Sequence, residues 1–507
     1  MITASDAWIA YNGRNVLPET FVELSYGVVD TEAQETAIGD GTNEAIFSMA
    51  DNVSIPVVAP KIATLEKNLW VLDGTRTVYY DELPDNIGYA SQDDTVARLT
   101  ISFPMVRTNL LPGLTITWSS EYDEYATSFA VTVKNGATVI AEARVDDNDE
   151  PTSLVTLDIE NYDTIVIDIF EWSLPDHRAR VDMVTIGQGF TFTKQELVEF
   201  THEQAGDLNC GILPKQSISF ALNNVTGRWN PDNPQGMEKY LSERQPVKVR
   251  YGMRVDDDIE WINAGTYYLS EWSTPAQGMT ANFVARDFFE YMLNEPYLGR
   301  ETGTLRELIY DAFDSTFIPS SVVYNLDPVL DEYTATVNKE HTAAEVVQLC
   351  ANAAGCVIWQ DRDEVVHIKP LSKISSGFII PRKFASSHPE ISLSKPLRSV
   401  MVTYGNNASH MITVSDTGEM QTVYNSMITT AEQANMVAEV VKDALASRKL
   451  VRGEFRADPR LDLYDIVTVE SKYGDIHPVV LTELRYGYTG AFWTQYSGRV
   501  LNSEVSR

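Results

Sequence analysis

The chain has 507 residues, 44% of them hydrophobic, which is enough for three or four domains with cores of their own. Its 72 acidic side chains outnumber 39 basic ones, and a net charge of −33 repels phosphate backbones, which argues against a nucleic-acid binder. No apolar run approaches the roughly 20 residues of a membrane helix, and MITASDAWIAYNGRN lacks the basic-then-apolar pattern of a secretory leader.

Residues 1–57 hold a few short strands, such as Phe21–Val29, and a polar stretch near Gly39–Asn43. From Lys61 to Gly187 the grammar changes. Short strands such as LTISFP, FAVTVKNG and TIVIDIFEW recur between turn signals, including Asn135-Gly136 and Asp146-Asp-Asn-Asp149, with the spacing of an all-β sandwich. Further on, Ile218, Phe220 and Leu222 are apolar at period two, the mark of a half-buried strand. Asn223-Asn224 and Asn230-Pro-Asp-Asn-Pro stop that strand, because Asn tolerates left-handed geometry and Pro cannot donate to a ladder. Val247, Val249 and Tyr251 resume the alternation, Asp256-Asp-Asp258 turns a hairpin, and Trp261 to Trp272 predicts two more strands around Gly265.

After Asp287 the period changes to a helical one. Thr304-Leu-Arg-Glu307 is a capping box, followed by Leu305, Leu308, Ile309, Ala312 and Phe313 on one face. Thr342-Ala-Ala-Glu345 repeats the device, with Val346, Leu349, Cys350 and Ala353 facing inward and Gly355 as the stop. Strands at Cys356–Trp359 and Glu364–Ile368, joined through Asp361-Arg-Asp363, predict a hairpin against that helix. From Leu397 strands return, then a helix over about Thr430–Arg448, then more strands to the end.

The ordered set W-N-P-D-N-P, V-x-V-x-Y-G, E-W-I-x-x-G-T-Y-Y-L and A-R-D, over roughly Ile186–Tyr310, resembles the tail-tip hub proteins of long-tailed phages, whose fold is similar to the baseplate hub of contractile tails. D-P-R-L-x-L-x-D-x-V-x-V from Asp458, followed by L-T-E-L-R-Y-x-Y-x-G, resembles the second barrel of such hubs. The segment Lys61–Gly187, which reads as inserted into the first hub domain, resembles a carbohydrate-binding, galactose-binding-type sandwich, on W-x-L-D-G, G-Y-x-S and the closing I-x-x-W-S-x-P and R-x-x-x-V-x-I-G strands. The expectation is a mainly β fold with an α+β part. It divides into a discontinuous first hub barrel (1–57 and 190–298), an inserted sandwich (58–189), a small helix–hairpin α+β domain (299–395) and a second barrel with one helix (396–507).

The resemblance implies a homotrimeric structural hub of a virion tail tip, made in the host cytoplasm. It implies distal tail or tail-tube proteins and tail fibre or other tip proteins as partners, and DNA passing through without specific binding. Two alternatives stay open: a secreted glycoside hydrolase with a binding module, and a distal-tail ring protein. No nucleophile, phosphate-loop or dinucleotide motif is present, and acid pairs such as Glu121 with Asp123 or Glu124 mean little in so acidic a chain, so no enzyme is expected.

Nor is a metal or cofactor expected. The seven histidines form no metal-ligand spacing, and Asp146–Glu150 lacks the glycine and the bidentate Glu of a calcium loop. The three cysteines are too few for a disulfide framework, and Cys350 and Cys356 read as core thiols. Aromatic faces suit sugar rings, which makes Tyr79, Tyr80, Tyr122 and Tyr125 the candidates for a cell-wall saccharide, whereas Trp70 and Trp172 sit in strand patterns and read as core.

Overall fold

A computed structural model describes residues 2–16, 18–30, 33, 37–41, 97–118, 124–173, 181–233, 236–241, 243–256, 258–275, 279–316, 322–338, 340–373, 377–405 and 407–501. They fall into two compact units. One comprises Met1–Leu24, Phe192–Gly227 and Pro246–Arg507, and the other Ser25–Thr191 and Arg228–Gln245. The fold is mainly β with a smaller α+β part. The boundary expected near residue 58 lies outside the described residues, as do Trp70 and the W-x-L-D-G and G-Y-x-S motifs.

In the first unit one long sheet runs in the order Glu390–Leu393, Lys449–Arg456, Phe492–Val500, Ile476–Tyr488, Leu197–Ala205, Lys215–Asn223, Thr280–Arg286, Asp258–Ser273 and Pro246–Val255. Period-two alternation explains its inner face: Ile218, Phe220, Leu222, Val247, Val249 and Tyr251 are all buried while Lys215, Ser219, Lys248 and Arg250 are exposed. The two strands expected around Gly265 are instead one strand of 16 residues. Gly265 has φ +112°, and the ladder slips there so that Val249 faces Gly265 while Arg250 faces Asn263. The glycine makes a β-bulge, which bends a strand without ending it.

Helix α1 (Asp6–Asn12) has no strong periodic signal in sequence. Ser5 caps it by accepting from the Trp8 amide at 2.9 Å, and Trp8 is buried among Met253, Val255 and Ile262.

The short helix α2 (Phe289–Met292) opens the α+β part, followed by α3 (Leu305–Asp314) and α4 (Ala343–Ala353). Both capping boxes form, and the five apolar positions expected on α3 are its buried face. Gly355 takes φ +63° just beyond α4, the left-handed residue that ends a helix. All three cysteines are buried and free. One core joins Phe288, Phe313, Val346, Cys350 and Ile368 to Val400, Val402, Val437 and Val441. Residues 397–445, grouped in sequence with the second barrel, thus pack on α3 and α4 through a three-stranded sheet (Leu397–Tyr404, Ala408–Thr413, Glu419–Asn425) and α5 (Ala431–Leu445).

The second unit is a two-sheet sandwich. Thr20–Val29, in which the chain crosses from one unit to the other, neighbours Met183–Phe192, then Leu111–Thr117 and Thr152–Ile159. The other sheet orders Ile38–Gly41, Ala97–Arg107, Tyr162–Trp172, Ala126–Asn135 and Thr138–Val145. Trp118 sits between the sheets, its ring centroid 5.0 Å from Phe129 and 6.0 Å from Trp172 in edge-on geometry. Its indole N–H donates to Ser153 Oγ at 2.8 Å, so the polar tip of a buried ring is satisfied.

Candidate functional site

The strands read from sequence as two barrels meet directly. Leu197–Ala205 pairs antiparallel with Ile476–Tyr488, with Phe200 opposite Tyr488 and Ala205 opposite Glu483. Because side chains alternate, Phe200, His202 and Gln204 all point to the buried side of this seam.

A polar network fills that side. His202, fully buried, lies 2.8 Å from the Tyr251 hydroxyl through Nδ1 and 2.7 Å from the Tyr267 hydroxyl through Nε2. Tyr267 donates onward to the Ala264 carbonyl at 3.0 Å. Burial, reinforced by the Arg362 charge, holds the His202 pKa well below the ordinary imidazole value, so the ring is neutral. Gln204 donates to Asp462 Oδ1 at 2.7 Å and to Gln216 Oε1 at 3.1 Å, and Gln216 donates to the Gln360 carbonyl.

Arg362, at the tip of the hairpin between Cys356–Gln360 and Val365–Pro370, enters the same space. Its guanidinium donates to the carbonyls of Pro459 and Leu461 and lies 5.5 Å and 5.4 Å from the ring centroids of Tyr251 and Tyr486. Tyr486 also donates to the Leu461 carbonyl, at 2.7 Å. Burial raises the pKa of Asp462 and the Arg362 charge opposes that rise. Nearby, Asp287 Oδ2 accepts from the Gln216 amide at 2.7 Å, yet burial pushes its carboxyl up to about 8. The Arg362 cation is therefore buried among tyrosines, carbonyls and a carboxylate, an arrangement that fixes geometry.

A cleft of about 540 Å³ opens beside it, lined by Trp261, Trp359, Asp361, His367 and Lys369 among others. His367 Nε2 lies 2.7 Å from Asp361 Oδ2, and Trp359 stacks on the imidazole with centroids 4.6 Å apart. Asp361 Oδ1 accepts from the amides of Asp363 and Val365, both at 3.0 Å. Although burial works against it, His367 and these amides hold the Asp361 carboxyl below its usual range. Asp361 thus shapes the hairpin that carries Arg362. Among the described residues no three His, Cys, Asp or Glu side chains are grouped to hold a metal.

Of the saccharide candidates, Tyr79, Tyr80 and Tyr122 lie outside the described residues, with Glu121 and Asp123. Tyr125 is half-buried, just before the strand Ala126–Asn135. Its amide donates to Ser173 Oγ at 3.1 Å, and its carbonyl accepts from the Ser173 amide at 2.9 Å. Trp172 is half-buried and donates to Glu124 Oε2 at 2.9 Å.

In sequence the seam carries only a faint signal. The signal for His202 and Gln204 was there, since both share the parity of Phe200 in an alternating strand. Arg362 carried none, because an Arg between two Asp residues at a hairpin tip reads as solvated.

No family model matches the chain, and no curated protein matches it. Among solved structures the chain is similar to a tail protein from Neisseria meningitidis MC58, with a TM-score of 0.44 and 10% identity, over 62% of this chain and 93% of that one. It is similar to the prophage tail protein gp18 from Listeria monocytogenes EGD-e, with a TM-score of 0.40 and 12% identity, over 61% and 91% of the two chains. It is also similar to an E. coli component of the type VI secretion system, described as resembling the T4 tail proteins gp27 and gp5, with a TM-score of 0.37 and 9% identity, over 61% and 74%.

Proposed function

We propose that the chain is a structural, non-enzymatic hub of the tail tip or baseplate of a phage or phage-like injection machine, working as a homotrimer. The observation that carries this reading is the seam. Two strand regions more than two hundred residues apart share one ladder, and beside it Arg362 ties a hairpin of the α+β part to the loop that leads into the last strands, so each subunit presents a rigid double module. Three such modules supply six quasi-equivalent ones, the number a sixfold tail tube or distal ring requires. The ordered hub-like sequence motifs support the same reading.

In this assembly the hub binds distal tail or tail-tube proteins on one side and tail fibre or other tip proteins on the other. The sandwich reaches the host cell wall, with Tyr79, Tyr80, Tyr122 and Tyr125 as the saccharide contacts. The acidic balance leaves DNA free to slide past, since a carboxylate lining gives phosphate nowhere to bind. Mass photometry of the full chain tests the reading: trimers are expected, monomers would overturn it, and hexamers would favour a distal-tail ring protein. A cell-wall zymogram is expected to show no clearing, and hydrolysis abolished by one carboxylate substitution would overturn the non-enzymatic part.

A further inference from the structure

The three-stranded sheet on α5 has one face that α3, α4 and α5 do not use. Val400 and Val402 are buried in the core, with Ile412 and Val423 packed against it, so alternation turns their neighbours outward. Registers place Met401 between Met411 and Thr422, and Thr403 between Ser409 and Tyr424. A last row sets Ser399, already buried within the chain, between the exposed Thr413 and Met420. None of these nine positions is Asp, Glu, Lys, Arg or His, in a chain where 22% of residues are charged. Met411 is 58% exposed, Met420 42% and Tyr424 71%, and the charges of Arg398 and Glu419 fall beyond the last row.

We infer that this face packs against a second copy of the chain, within the assembly described under Proposed function. Two copies each carrying −33 repel, and repulsion costs least where the contact itself is free of charge. Interface centres are depleted of Lys, Glu and Asp and enriched in Met and Tyr, the composition of these rows. Methionine is adaptable enough to pack on a surface that is not its mirror image, as a cyclic assembly demands. The two outer strands of the sheet are edges, and Ala408–Thr413 carries none of the Lys, Glu or Pro residues that protect a permanently exposed edge. Nine same-face positions cover roughly 300 Å², against about 800 Å² per partner in a standard interface. The face is therefore the centre of the contact, with a polar rim around it. The cavity of about 400 Å³ next to it, lined by Thr403 and Tyr424 together with His341 and the charged Glu345, belongs to that rim.

The test uses the full chain. The double variant M411E/T422E flanks Met401 with carboxylates. It is expected to stay monomeric at concentrations where wild type is trimeric, a rise of at least tenfold in the concentration needed for assembly, while M411L assembles normally. M411C adds one accessible thiol to a protein whose three cysteines are buried. Its maleimide labelling is expected to slow at least tenfold in the trimer relative to diluted protein, a reading that stands even if the double variant misfolds. A double variant that assembles like wild type, or M411C labelled equally fast in both states, overturns the inference and leaves the hub reading intact. A wild-type chain that stays monomeric overturns both.

Discussion

Arg362 Nη2 donates to the Leu461 carbonyl at 2.6 Å, joining a hairpin of the α+β part to the D-P-R-L loop that leads into the last strands. The same carbonyl accepts from Tyr486, so one backbone oxygen serves two long-range partners. Buried cations of this kind add little net stability over an apolar filling but cost heavily when one member is lost.

Arg362→Met is expected to lower stability by about 2–4 kcal/mol, because the Pro459 carbonyl loses its donor and Asp462 loses a favourable charge. Arg362→Lys keeps the charge but lacks the planar fork that reaches both carbonyls, so it is expected to fall between. Thermal or denaturant unfolding of the full chain checks both. A midpoint unchanged in Arg362→Met would show that the clamp is dispensable.

Asp287 makes a pH prediction. Its folded pKa of about 8 lies above the ordinary carboxylate value, so its contribution to stability is fully present at acid pH and is lost as pH rises toward 8. Between those limits the slope from this group is at most about 1.4 kcal/mol per pH unit. Asp287→Asn mimics the neutral form. Melting temperatures followed from pH 5 to pH 9 are expected to fall less steeply in the variant than in wild type, and parallel curves would rule the group out.

Trp8 anchors the N-terminal helix. Its indole N–H has no hydrogen-bond partner among the described residues, so the ring contributes by packing alone. Trp8→Ala is expected to cost about 3–5 kcal/mol locally, and Trp8→Phe much less. Limited proteolysis reads this as early cleavage within residues 2–16 of the alanine variant. Equal resistance of the two variants would place the anchor elsewhere, on the Ile2 amide to Arg460 carbonyl bond or on the Arg456 contacts with the end of α1.

Saccharide contact by the sandwich is checked on host cell walls with the full chain and its Tyr122→Ala/Tyr125→Ala variant. A single shallow site binds weakly, so avidity in a trimer should make the loss on substitution large, on the order of tenfold or more. Equal binding by both proteins clears these residues of the role.

Sequence alone determined what depends on a few neighbouring residues. Thr304 with Glu307 and Thr342 with Glu345 form their boxes because a helix start leaves amides that only a local side chain reaches. Ile218, Phe220 and Leu222 are buried because a pleated strand alternates whatever it pairs with, and Cys350 is buried because its helix face is apolar. Gly265 shows the limit of such reading: a glycine between two apolar runs fits a turn or a bulge equally, and only the partner strand Pro246–Val255, laddered on both sides of it, made it a bulge. The seam between Leu197–Ala205 and Ile476–Tyr488, the entry of residues 397–445 into the α3 and α4 core, and the burial of Arg362 were decided by tertiary structure. Each depends on which edge or face, tens to hundreds of residues away, is left open when the local elements have formed, and no short window of sequence contains that partner.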